Sequence, residues 1–241
     1  MNMWGITDRG VVREENQDAY ALLDLSDRQQ LAVVCDGMGG ARAGNIASTM
    51  AVEEFSNVFS ELWNTGERKG QELMQTAAAR ANEAVHHRSV ADSGCYGMGT
   101  TMVAVYLDGK KAMVLNEGDS RAYLITPETI FQVTQDHSLV EDLVRRGELT
   151  PEQARIHPNK NLITRALGAE TNLHADLFEL DVEPGQYFLL CSDGLSNVVS
   201  EQEILYEVLH GGPVEQCCTR LLEIAIKRGA PDNVTVVLVE C

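Results

Sequence analysis

The sequence predicts an α+β protein, a four-layer α-β-β-α sandwich in which two antiparallel sheets are flanked by helix pairs. Three observations predict it. The elements run strands, two helices, strands, two helices, strand, rather than in the β-α-β-α alternation of a parallel sheet. Asp108-Gly109 and Pro127-Glu128 each join two apolar runs, as tight antiparallel turns do. The helical stretches come in adjacent pairs with an apolar face, enough to cover one side of a sheet.

In chain order, residues 19–25 and 31–35 are apolar runs bounded by polar or Gly-containing segments, and read as strands. The period then changes. Ile46, Met50, Phe55, Val58, Phe59 and Leu62 fall near helical spacing, as do Leu73, Ala77, Ala81, Ala84 and Val85. Gly66 and Gly70 separate these two helices. Strands return at 101–107 and 111–115, then at 121–126 and 129–133. Residues 136–160 are polar and hold two helix starts. Ser138 and Glu141 have capping-box spacing, and Thr150-Pro151-x-Gln153 adds Pro at the first helical position. With few large apolar residues, this stretch reads as a mobile insertion. Strands resume at 177–180 and 187–191. Ser200-x-x-Glu203 opens a helix, and Val214, Cys217, Leu221, Ile224 and Ala225 mark another that Gly229 ends. Residues 234–239 close the chain as a buried strand. No repeat, low-complexity tract or linker interrupts residues 1–241, so one domain is expected.

The chain has 241 residues, with 19 Lys and Arg against 36 Asp and Glu and a formal charge of −17. This acidity argues against nucleic-acid binding, which needs clustered Lys and Arg, and against electrostatic attachment to anionic lipid. No apolar run approaches the ~20 residues of a membrane-spanning helix. Residues 1–8 have neither the basic nor the apolar region of a secretory signal. The six cysteines form no C-x-x-C pair, and Cys35 and Cys191 sit inside apolar runs. They read as small buried hydrophobes in a reducing compartment, so a cytoplasmic protein is expected. No oligomerisation signal is visible, and a monomer is expected.

The chemistry is concentrated in aspartates at strand ends. Asp36 ends an apolar strand and enters Gly37-Met38-Gly39-Gly40. Asp193 follows a strand and precedes Gly194. Asp232-Asn233 precedes the last strand, Asp119 lies between two strands, and Asp18 opens one. If these ends converge, the like charges need protons or cations to neutralise them. An all-oxygen set suits hard ions, Mg²⁺ or Mn²⁺. The Gly run lacks the Lys-Ser/Thr of a P-loop and the Gly spacing of a dinucleotide fold. Asp108-Gly109 reads only as a hairpin turn.

The ordered set Arg13-Glu14-Glu15-Asn16-Gln17-Asp18, Asp36-Gly37-Met38-Gly39-Gly40, Gly99-Thr100-Thr101, Gly118-Asp119-Ser120-Arg121, Asp136-His137-Ser138, Leu162-Ile163-Thr164-Arg165-Ala166-Leu167-Gly168, Ser192-Asp193-Gly194-Leu195 and Asp232-Asn233-Val234-Thr235 resembles the metal-dependent protein serine/threonine phosphatases of the PP2C type (PPM family), most closely the compact bacterial members. The resemblance implies a centre of two Mn²⁺ or Mg²⁺ ions and hydrolysis of phosphoserine and phosphothreonine by a hydroxide bridging them. Position by position, it implies that Asp36 bridges the ions and that the Gly37 carbonyl ligates one. Asp193 and Asp232 would ligate the other, and Asp18 would hold metal-bound water. Asp119, with Asp193, would hold a third, weaker ion, and Arg13 would grip the substrate phosphate. It also implies a flap at about 138–165, and phosphorylated proteins as partners, with a Ser/Thr kinase and that kinase's substrates as the biological counterpart.

The residue types suit these roles. Arg13 offers a planar two-donor fork for phosphate oxygens, which Lys cannot reproduce. No phosphate loop surrounds any cysteine, so a phosphocysteine route is not expected. For the leaving-group proton the sequence offers His137 and a metal-bound water. His137 is read first as structure at the flap base, and His86-His87 as a helix face. Bacterial members usually carry His where this chain has Ala41 and Glu where it has Asn45. That leaves the ligand set intact and touches only its hydrogen-bonded surroundings. Two other readings stay open: a catalytically weak pseudophosphatase that binds or scaffolds phosphoproteins, and a hydrolase of small phosphate esters.

Overall fold

Alternation along the strands sets the layers. The computed structural model describes residues 2–38, 43–66 and 69–241, so Gly39, Gly40 and Ala41 of the glycine-rich motif lie outside the described residues. The strands are β1 Met3–Asp8, β2 Asp18–Ser26, β3 Gln29–Met38, β4 Gly99–Thr100, β5 Met102–Asp108, β6 Lys111–Glu117, β7 Arg121–Ile125, β8 Ile130–Gln132, β9 Asp176–Asp181, β10 Tyr187–Cys191 and β11 Val234–Glu240. The helices are α1 Ala43–Thr65, α2 Gly70–Ala91, α3 Leu139–Arg145, α4 Pro151–Arg155, α5 Asp193–Ser196, α6 Glu201–His210 and α7 Val214–Lys227.

One sheet has the order β1-β11-β10-β7-β8 and the other β2-β3-β5-β6-β9, with β4 paired to the end of β3. All the pairings are antiparallel. In β3, Leu31, Val33 and Cys35 face α1 and α2, while Ala32 and Val34 face the second sheet. In β11, Val234, Val236 and Leu238 face α6 and α7, while Val237 and Val239 point between the sheets. Three apolar layers result. Small residues on α1 (Ala47, Ala51) and α2 (Ala77, Ala78, Ala81) let both helices lie close to the sheet. Phe59 packs its ring 5.0 Å from that of Tyr106, and burial of such a side chain contributes about 1.5–3 kcal/mol. The two antiparallel sheets and their flanking helices are those that the element order predicts.

Local signals are met in detail at several ends. Gly109 (φ 64°) makes the β5–β6 turn, and Gly229 (φ 94°) follows α7. Thr150 with Gln153, and Ser200 with Glu203, form reciprocal capping boxes. At Ser138 only half of the expected box forms. Its hydroxyl accepts from the Glu141 amide, but the Glu141 carboxylate accepts from Gln135 instead. β1 has no counterpart in the sequence reading, because as a half-exposed edge strand containing Gly5 it lacks apolar alternation. No helix among the described residues is long and apolar enough to cross a membrane.

Candidate metal centre

The same alternation that builds the inter-sheet core turns polar at one end of it. Beyond Val34 on the inner face of β3 comes Asp36, beyond Leu190 of β10 comes Ser192, and before Val237 of β11 comes Thr235. Thr101 and Ser120 occupy the equivalent ends beside β5 and β7. The hydroxyls interlock. Thr101 Oγ1 lies 2.7 Å from Ser120 Oγ and accepts the Asp36 amide at 2.9 Å. Ser192 and Thr235 both donate to Oδ2 of Asp18, at 2.7 and 2.6 Å.

A cleft of about 620 Å³ opens at this end, lined by Arg13, Asp36, Gly37, Asp119, Asp193 and Asp232 among others. The structure therefore brings six of the seven expected site residues to one cavity wall. Asp18 does not line it. It is buried, and is the cross-strand partner of Asp36. Close backbone approach explains two glycines. A Cβ on Gly37 would strike the Gly44 carbonyl at the start of α1, and one on Gly194 would strike the Asn233 carbonyl. Each glycine thus lets the aspartate before it sit against a second chain segment.

The carboxylates raise one another's proton affinity. Burial first, then the charges of Asp193 and Asp232, push Asp18 up to about 7 against the stabilising hydroxyls of Thr235 and Ser192. Asp36 is pushed well above the ordinary range by burial and then by Asp18, Asp193, Asp119 and Asp232. Asp119 is pushed to about 7 by burial and then Asp193. Asp193 is pushed to about 6 by burial and then Asp232, with Arg121, Lys160 and Arg13 acting against. Buried Oδ1 atoms of Asp18 and Asp193 have no hydrogen-bond partner. Several like charges with unpartnered hard oxygens are what a divalent cation relieves, so the donor set fits Mg²⁺ or Mn²⁺. Asp232 differs from the others. Its Oδ2 takes a hydrogen bond of 2.6 Å from Arg13 Nη2, and its Oδ1 takes the Asn233 amide. Among the described residues, no three His, Cys, Asp or Glu side chains stand ready as an ion cage in this arrangement.

Sequence reasoning missed Asn233 as more than a neighbour of Asp232. Its side chain donates to the carbonyls of Arg9 and Glu15 and accepts the Gln17 amide. It thereby ties the Arg13 loop to the Asp232 turn, across more than 200 residues of sequence. The Asp-Asn pair just before a buried strand was the available signal, a side chain able to donate and accept at once.

His137 stands outside the cleft lining. Its Nδ1 accepts the Gly118 amide at 3.1 Å, and its Nε2 lies 3.1 Å from Asp176 Oδ2 and 3.2 Å from Arg165 Nη1. Burial lowers its proton affinity, as suits a neutral ring that braces the turn before Asp119. His86 Nδ1 faces the Gly168 carbonyl at 3.1 Å. All six cysteines are free and five are buried, with burial raising the thiols of Cys35 and Cys191.

The family model for protein phosphatase 2C matches residues 11–235. The serine/threonine phosphatase stp of Listeria monocytogenes is 37% identical over 237 residues, covering 97% of this chain and 93% of that protein. The protein phosphatase PhpP of Streptococcus pneumoniae is 36% identical over 234 residues, with 97% and 95% covered. Staphylococcus aureus Stp1 superposes with a TM-score of 0.91 at 34% identity, covering 99% of this chain and 94% of that one. The PstP catalytic domain solved with two manganese ions superposes with a TM-score of 0.85 at 33% identity, covering 99% and 97%. A match over nearly the whole chain, at more than 30% identity and on the same fold, makes this chain a member of the protein phosphatase 2C family, the metal-dependent serine/threonine phosphatases, of the bacterial type.

Proposed function

We propose that this phosphatase hydrolyses phosphoserine and phosphothreonine in proteins with two Mn²⁺ or Mg²⁺ ions held by Asp36, the Gly37 carbonyl, Asp193 and Asp232. When bound, the ions supply Lewis acidity, lowering the pKa of water in the cleft and neutralising charge on the phosphate. The residues of the chain do the rest. Asp18, buried behind Asp36 with a free Oδ1, takes the proton side of a water hydrogen bond and orients it. Arg13 presents its guanidinium at the cleft, where two parallel N–H donors match two phosphate oxygens. Water then forms the new O–P bond as the P–O bond to the seryl or threonyl oxygen breaks, and the proton that the attacking water gives up is returned through solvent in the cleft to the leaving oxygen, yielding phosphate and the free hydroxyl. Asp119 and Asp193 form the third, weaker ion position, which the upward push of Asp193 on Asp119 supports.

The observation that carries the reading is the convergence of mutually destabilising aspartates beside a half-exposed arginine in one cleft, with unpartnered oxygens on Asp193 in its wall and on Asp18 buried behind it. We read residues 1–241 as a single domain and about 138–165 as a flap on the cleft, which Asn161 and Ile163 support by lining it. The proposal takes phosphorylated proteins as substrates, a serine/threonine kinase as counterpart, and a cytoplasmic monomer as the working form. The test is phosphate release from a phosphothreonine peptide and from small esters, with Mn²⁺ and with chelator. Release from the peptide that chelator abolishes supports the proposal. Binding without release indicates a phosphoprotein scaffold, and release from small esters alone indicates a small-molecule hydrolase.

A further inference from the structure

We propose that Arg13 and a divalent ion compete for Asp232, so that loading the ion frees Arg13 for the substrate phosphate. The inference rests on the reading of Asp232 as an ion ligand. Arg13 Nη2 lies 2.6 Å from Asp232 Oδ2, and the other oxygen, Oδ1, takes the Asn233 amide at 2.9 Å. Both oxygens are engaged, whereas Asp18 and Asp193 each keep a buried Oδ1 without a partner. Asp193 takes only the Asn197 amide group on its Oδ2, so Asp232 is the expected ligand whose two oxygens are both engaged, one of them by a cation.

The surroundings suit an exchange. Arg13 lies in the link between β1 and β2, and the side chains of the pair are 53% and 26% exposed. A pair so exposed to water is weak, worth about a few-fold in an equilibrium constant. A doubly charged ion attracts the carboxylate more strongly than a guanidinium does. The backbone need not move, because Asn233 pins the Arg9, Glu15 and Gln17 main chain to the Asp232 turn. Only the two side chains turn. Without ions, the charges of Asp232, Asp36 and Asp193 all hold Arg13 inward. With ions present, that field is cancelled and the guanidinium is released toward an incoming anion. Ion loading and phosphate capture are then coupled, and by reciprocity phosphate favours ion retention.

The test measures Mn²⁺ binding to metal-free protein by calorimetry for the wild type, Arg13→Gln and Lys160→Gln. Lys160 is the control for field alone, since its charge acts on Asp193 without the hydrogen bond that Arg13 makes to a carboxylate of the cleft. Arg13→Gln is expected to tighten Mn²⁺ about three- to fivefold, and Lys160→Gln to change it by less than half as much. In a second readout, the Arg13 Nε–H resonance of the wild type is expected to shift from its ion-paired position when diamagnetic Mg²⁺ is added. Equal effects of the two variants, no tightening in Arg13→Gln, or an unmoved Arg13 resonance would overturn the exchange. A wild type that takes up no Mn²⁺ would overturn the metal centre itself, and the exchange with it, so the two failures are distinguishable.

Discussion

Asp18 stands directly across the β2–β3 ladder from Asp36, so this antiparallel pair ends on two facing acids. Like charges opposite each other destabilise a sheet. Two hydroxyls from the other sheet, Ser192 and Thr235, compensate only one oxygen of Asp18. The remaining strain is a cost to the metal-free fold and a driving force for binding a cation.

Removing one of these charges separates stability from function. Asp36→Asn is expected to raise the Tm of the metal-free protein by about 2–4 °C for each kcal/mol of repulsion relieved. It is expected to lower hydrolysis of p-nitrophenyl phosphate in Mn²⁺ by more than about 100-fold. Scanning calorimetry and a steady-state assay check the two halves. A drop in both Tm and activity would mean that Asp36 is structural.

Stability of the metal-free enzyme should fall as pH rises across neutrality. Asp18 and Asp119 are pushed up to about 7 and Asp193 to about 6, against about 3.9 for an unfolded aspartate. Between those values the folded state binds more protons than the unfolded chain. The stabilisation is therefore complete below about pH 4 and lost through pH 6–7. Burial also pushes Glu117 to about 7, so in thermal melts from pH 5.5 to 8 the share of the aspartates is the difference between chelator and Mn²⁺. A Tm decline of a few degrees is expected in chelator and a smaller one in saturating Mn²⁺, because the ion replaces the protons of the aspartates. A rising Tm in chelator would contradict the assignment.

Asn233→Ala removes three hydrogen bonds between the Arg13 loop and the Asp232 turn. At about 1 kcal/mol each, urea unfolding should show a loss of about 2–3 kcal/mol. The loosened loop should also raise KM for a phosphothreonine peptide more than it lowers kcat. Unchanged KM in a destabilised variant would confine Asn233 to a structural role.

His137→Ala leaves the Gly118 amide without its ring acceptor. The cost expected for a buried unpaired donor is about 1–3 kcal/mol. Because Gly118 precedes Asp119, the weakest Mn²⁺ step in a titration should be lost while hydrolysis of p-nitrophenyl phosphate continues. Loss of that hydrolysis in a folded variant would instead make His137 the proton donor.

Local chemistry is legible where the cause lies within a few residues. The period of Ile46 to Leu62 specifies α1, Asp108-Gly109 the β5–β6 turn, and Ser200 with Glu203 the start of α6, because each is decided by neighbours on the same turn. The strand-end aspartates are also visible in the sequence by itself, as charges flanking apolar runs. Their meeting in one cleft is not local, and came only from the ordered motifs of the family. β1 was hidden because a half-exposed edge strand need not alternate. The clamp of Ser192 and Thr235 on Asp18, the Asn233 tie and the Arg13–Asp232 pair join residues 174 to 224 positions apart. No periodicity encodes such partners. They are decided when two sheets pack and their polar ends must satisfy one another out of water, and only the tertiary structure records that choice.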